Sequence, residues 1–350
     1  MERDRIPELD LLRFTAAASV VLFHTTHWPA QRNLLTSTFS YGFLGVPLFF
    51  MISGFVILMT AQSRSAIEFT NSRIARLYPS FWICVLLTSL VLALVAHRPP
   101  SLAAIAANLT MLPHMLFDEP YLDPVYWSLV VEMKFYALMW VLIVTRQMKR
   151  IELFLTLWLV LGAIGMFVTM PHWVHSLLIP MWASLFTGGC FLYLIRSRGD
   201  TKRRLITYGA SVVVSIDYAL HYQDVYLHTT APVVEVTVAA IILAMSAVFL
   251  LIALRKWSLP RSRLWLWLGC LTYPIYLLHA EAGNHIWDVL GGDEWARMWF
   301  VLGLVVLASI VLAVLVERRL CHAFHRALDR GAQRLLEKLG LREDRATAMR

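Results

Sequence analysis

The chain has 350 residues, of which 59% are hydrophobic and only 15% charged, with a mean hydropathy of +0.63. That balance excludes a soluble globular domain and matches a polytopic membrane protein. The net charge of +8 would suit an anionic partner in a soluble protein, but here the placement of Lys and Arg carries the information, and no nucleic-acid partner is expected.

A hydropathy window of about 19 residues predicts an all-α bundle of ten spans, at 9–29, 41–61, 78–96, 124–145, 151–169, 176–195, 205–220, 232–254, 265–281 and 297–317. With both termini cytoplasmic, 26 of the 31 Lys and Arg residues fall on the inner side, and the outer loops hold only Arg32, Arg98 and Arg297. An odd number of spans would spoil this asymmetry. The chain therefore divides into a membrane domain, 1–317, and a basic amphipathic cytoplasmic tail, 318–350, fit to lie on the inner leaflet against membrane lipids. A cleavable signal peptide is not expected, because the first apolar run carries Arg13 and leads into a second span without a cleavage site.

The first span, LDLLRFTAAASVVLFHTTHW, holds Arg13 and His24. Ionisable residues inside a span are costly to bury and mark functional sites by default. Eleven residues at about 100° each bring both side chains to one helix face, roughly 16 Å apart along the axis. Asp10 lies on the same stripe. The second span, YGFLGVPLFFMISGFVILMTA, carries Gly42, Gly45, Pro47 and Gly54. Its small residues suit close helix approach, and Pro47 is expected to break the helix. Ser53 lacks the strand-turn-helix setting of a nucleophile, so hydrogen bonding or packing is its expected role. The loop that follows supplies Arg73 and Arg76 on one helical face, a pair suited to bidentate phosphate contacts.

The connection from His97 to Asp123 mixes apolar and turn residues and is expected to dip into the interface or cover a cavity. Beyond it, Glu132 enters the fourth span from outside and His279 rises in the ninth from inside. Counting residues at about 1.5 Å each puts His24, Glu132 and His279 at one depth in the outer half of the bilayer. The arginines lie below them, at the cytoplasmic mouth. Cys84, Cys190, Cys270 and Cys321 have no metal-ligand spacing, and His24 with His27 lacks a completing carboxylate, so no metal is expected.

In order along the chain, Arg13 and His24, then GFLGVPLFFMISGFVI, RIARLYPSFW, YWSLVVEMKFYAL and LTYPIYLLH together resemble the acyltransferase-3 family of membrane O-acyltransferases. The resemblance implies transfer of an acyl group, usually acetyl from acetyl-CoA, to a hydroxyl on a carbohydrate or other carrier-linked acceptor in a bacterial inner membrane. Acyl-CoA would be a substrate, with no permanently bound cofactor. By motif, His24 and Glu132 correspond to the catalytic pair. Arg13, Arg73 and Arg76 correspond to the donor-binding cations. Asp10, Ser53, Gly54, Trp127, Tyr136, Tyr273 and His279 are expected to line the site. The sequence resembles a standalone member without a fused hydrolase-like domain, and it departs from the pattern in carrying Lys134 beside Glu132. Imidazole titrates near working pH and can take the hydroxyl proton or carry the acyl group itself, two roles that the sequence does not separate. A secondary transporter using the buried charges as a coupling path is the alternative of a different class. A lipid-carrier glycosyltransferase lacks its acidic pair, since Pro29 to Ser40 contains no carboxylate.

Overall fold

The computed structural model describes residues 5–27, 39–227, 231–290 and 294–338. Arg32, most of the first outer loop and the last part of the tail lie outside the described residues. Within them the chain is helical throughout, without a β-strand: α1 (Pro7–His27), α2 (Gly45–Ala61), α3 (Ala66–Leu94), α4 (Leu102–Leu109), α5 (Pro113–Phe117), α6 (Trp127–Val144), α7 (Ile151–Gly165), α8 (His172–Leu178), α9 (Pro180–Arg198), α10 (Lys202–Leu227), α11 (Pro232–Ala253), α12 (Arg263–Leu278), α13 (Glu281–Val289), α14 (Glu294–Leu312) and α15 (Cys321–Lys338).

Among the described residues, six stretches are long and apolar enough to cross a membrane: Gly42–Ala61, Ala66–Leu94, Pro124–Val144, His172–Arg198, Pro232–Ala253 and Met298–Leu335. The other four expected spans coincide with helices that fall short of that standard. Helices α7 and α12 have 15 and 16 residues. Charged residues lower the hydropathy of the remaining two, Glu8, Asp10 and Arg13 in α1 and a Lys202–Arg204 cluster with Asp217 in α10. The ninth expected span also ends early: α12 stops at Leu278, and His279 and Ala280 turn the chain into α13.

The chain forms two compact units. The first gathers Met1–Val20, Ser40–Ser63 and Val131–Leu266. Its centre is a backbone-to-backbone contact of α2 with α9: a methyl group on Gly54 would run into the Phe186 carbonyl, and one on Gly189 into the Met51 carbonyl. Small residues allow this approach where apolar burial from water cannot drive helices together. Phe135 stacks on Phe186 beside it, centroids 4.3 Å apart. Pro47 does not break the helix. It is the third residue of α2, where its missing N–H is one of the amides that lack an intrahelical acceptor anyway. Farther out, Tyr208 donates to the Ser246 carbonyl at 2.7 Å, Tyr218 to the Gly162 carbonyl at 2.9 Å, and Arg204 pairs with Glu152 at 2.8 Å, knitting α10 to α11 and α7.

The second unit gathers Val21–Phe39, Arg64–Val130 and Trp267–Arg350. Its axis is α3, which starts at a reciprocal capping box of Ser65 and Glu68. The His97–Asp123 connection folds back along α3: Trp82 donates to the Leu109 carbonyl and Tyr78 to the Thr110 carbonyl, both at 3.0 Å. Tyr78 lies sixteen residues before the end of α3, about 24 Å of helix. Buried Asn108 holds this return, donating to the Pro120 carbonyl and accepting from the Leu122 amide at 3.0 Å each. Helix α15 docks on α3 as well, Asn71 donating to Asp329 at 2.9 Å and Phe324 packing edge-on against Trp82.

Candidate active site

Two histidines far apart in sequence meet in the second unit. His24 lies near the end of α1 and His279 just past the end of α12, and Nδ1 of His24 stands 3.1 Å from Nε2 of His279. His279 is buried, and its Nδ1 lies 2.8 Å from the Tyr276 carbonyl oxygen. A carbonyl can only accept, so this contact sets the tautomers of a neutral pair. His279 holds its proton on Nδ1 and offers the Nε2 lone pair, His24 donates from Nδ1, and the basic lone pair of His24 resides on Nε2. Tyr276 is itself anchored, its hydroxyl 2.7 Å from Ser128.

The basic pair sits in the same unit. Arg73 and Arg76 lie three residues apart on α3, Arg73 half-buried and Arg76 exposed. Arg73 donates from Nε to the Ser72 hydroxyl at 3.2 Å and lies 5.9 Å from the Phe69 ring centroid. Tyr273 of α12 donates to the Leu77 carbonyl at 3.2 Å. That bond ties the helix bearing the basic pair to the helix that leads to His279, six residues and about 9 Å further along. Trp127, also in this unit, is the first residue of α6 and half-buried.

The first unit holds the other expected residues. Asp10 is buried and pairs with Arg5 at 2.6 Å and with Arg13 at 3.7 Å. Half-buried Ser53 donates to Glu132 at 2.5 Å, joining α2 to α6, while Gly54 serves the contact with α9 and Tyr136 is buried on α6. Glu132 is thus held by Ser53, while the described contact of the His24 ring in the second unit is with His279. Among the described residues no group of three or more His, Cys, Asp or Glu side chains could hold a metal.

Asp123 escaped the sequence reading. Fully buried, it accepts the Val125 amide at 3.1 Å on one oxygen and the Glu281 amide at 3.0 Å on the other, so it clamps the start of α6 to the start of α13 directly after His279. Burial pushes its carboxyl up to about 7, against the pull of the two amides and with the Glu281 charge adding to the rise. The only signal in the sequence was an Asp before a Pro, a common turn and cap pattern.

A model of the acyltransferase domain of the acyltransferase-3 family matches residues 6–317. The chain belongs to the acyltransferase-3 family. This membership, with the six apolar helices, makes it an integral, multi-pass membrane acyltransferase and disfavours the transporter alternative. Among similar proteins, one named as an acetyltransferase, ORF330 of Acidianus two-tailed virus, is 25% identical over 80% of this chain and 84% of its own length. Nodulation protein 10 of Rhizobium leguminosarum bv. viciae is 27% identical over 88% of this chain and 91% of its own. O-acetyltransferase OatA of Staphylococcus aureus is 30% identical over 42% of this chain, a match spanning only 26% of that relative. No solved structure matches.

Proposed function

We propose that this acyltransferase moves an acyl group, acetyl foremost, from acyl-CoA to a hydroxyl of a carbohydrate or lipid-linked acceptor, with His24 as the base. The observation that supports it is the chain from the Tyr276 carbonyl through His279 to His24. It leaves the lone pair of His24 on Nε2, where a general base needs it. As the acceptor oxygen attacks the thioester carbonyl, Nε2 takes the hydroxyl proton. When the tetrahedral intermediate collapses, the C–S bond breaks and the CoA sulfur leaves with that proton from the imidazolium. Ester and free CoA thiol result. Arg73 and Arg76 are assigned the donor's phosphates, which guanidinium groups bind with charge-assisted hydrogen bonds. Arg13 and Glu132 keep the donor-binding and catalytic roles that the family motif implies.

The acetyl group and the oxygen acceptor draw support from the name of the OatA relative. Ten spans with both termini in the cytoplasm belong to the same proposal and rest on the distribution of Lys and Arg; a bacterial inner membrane belongs to it as what the family resemblance implies.

The experiment supplies radiolabelled acetyl-CoA to purified protein in liposomes and follows label on protein, water and added glycans. His24→Ala should abolish transfer, and Arg73→Ala should weaken the donor's apparent affinity. Label retained on wild-type protein but absent from His24→Ala would mark a covalent acyl-histidine step in place of direct transfer. Failure of wild type to bind or consume acyl-CoA of any chain length would refute the proposal.

A further inference from the structure

We propose that the first unit carries a second site, one that binds a phosphate ester through Arg5, Arg196, Arg255 and Arg261. These four arginines line a cavity of about 570 Å³, and none of its eleven lining residues is acidic. Tyr193 and Trp257 supply aromatic walls, and Ser197 and Ser258 add hydroxyls. An adjoining cavity of about 280 Å³ shares Arg5 and Arg261 and adds Arg263, with Asp10, the partner of Arg5, also in its wall. Guanidinium groups gathered around one hollow attract an anion that enters it. Planar donor forks with aromatic faces beside them suit a phosphate attached to a flat or apolar group.

The cavity is built, not left over. Arg196 donates to the Ile252 carbonyl at 2.6 Å, joining the ends of α9 and α11, and Arg5 is held by Asp10 at 2.6 Å. The loop after α11 is pinned to the first turn of α1 by the Leu259 amide, which donates to buried Glu8 at 2.6 Å. Arg255 has φ of +58°, in the left-handed region at the end of α11. That position favours glycine.

Two sources offer the same chemistry: a nucleotide phosphate bound apart from the donor that Arg73 and Arg76 hold, and the headgroup of an anionic phospholipid. The site requires neither the base role of His24 nor the donor role of Arg73, so binding is read apart from turnover. The full-length protein in nanodiscs is titrated with adenosine 3′,5′-bisphosphate, and its retained lipid is compared between phosphatidylglycerol and phosphatidylcholine discs. Arg255→Gly is the informative variant, because glycine relieves the backbone while removing the guanidinium; Arg261→Ala is the second.

If the nucleotide is the source, bisphosphate affinity drops roughly tenfold or more in both variants, with thermal stability of Arg255→Gly unchanged or raised. If a lipid is the source, preferential retention of phosphatidylglycerol is lost instead. Wild type that binds neither probe, or variants that bind both as wild type does, would overturn the proposal. Bisphosphate binding that survives Arg255→Gly and Arg261→Ala but is lost in Arg73→Ala would do so too, while leaving the acyltransferase reading in place.

Discussion

Replacing His279 by leucine removes the acceptor that holds the Nδ1 proton of His24. The pair is 3.1 Å apart and His279 is 1% exposed, so water does not readily substitute. A lost hydrogen bond that strands a partly buried donor costs about 1–3 kcal/mol. If that cost falls on the reactive tautomer and orientation of His24, kcat drops roughly five- to hundredfold. The apparent KM for acetyl-CoA should barely move, because His279 is not assigned to the donor. His279→Gln is the rescue variant, since its amide oxygen can accept from Nδ1 and should recover much of the rate. The assay is transfer of labelled acetyl groups by purified protein, with melting curves taken alongside to exclude unfolding and a pH profile to report the base. Wild-type kcat with an unchanged pH profile in His279→Leu would refute the relay, and equal losses in the leucine and glutamine variants would reduce His279 to a packing residue.

The backbone contact of α2 with α9 predicts that Gly189→Ala destabilises by about 3 kcal/mol, since the added methyl meets the Met51 carbonyl and backbone cannot give way cheaply. In the same unit no atom lies within 4 Å of a methyl group on Gly209, so Gly209→Ala should raise stability by about 0.5–1 kcal/mol; melting in detergent compares the two. For Asp123 the carboxyl titrates near 3.9 in the unfolded chain and near 7 in the fold. Between those values the folded protein holds a proton that the unfolded chain has lost, so this group's contribution is most favourable below about pH 4 and falls by up to about 4 kcal/mol toward pH 7. Asp123→Asn removes that component, and the wild-type-minus-variant difference in melting temperature should shrink as pH rises from 4 to 7; parallel curves would contradict the buried clamp. Asn71→Leu cuts the bond to Asp329 and should speed protease cleavage between Cys321 and Lys338 several-fold in limited digestion, while cleavage at the rate of wild type would show that the tail docks without it.

Membrane character and helical class follow from composition and apolar run length alone, because a continuous apolar run of about 20 residues spans hydrocarbon as a helix that satisfies its own backbone, whereas the strands of a barrel are shorter and alternate in polarity. Motif order alone pointed to the family, and glycine spacing in the second span announced a close helix contact. Sequence also gave His24, Arg73 and Arg76 their chemistry, since an imidazole or guanidinium is costly to bury without use. Tertiary structure decided what each of them touches. The pairing of His24 with His279 joins residues 255 apart, and depth counting places both in one layer without bringing their rings together. The clamp of Asp123 and the arginine cavity were equally hidden. Arg5, Arg196, Arg255 and Arg261 each read as an ordinary inner-loop cation, because local sequence fixes only the side of the membrane on which a charge lies, and the packing of α1, α9 and α11 brings those charges around one hollow.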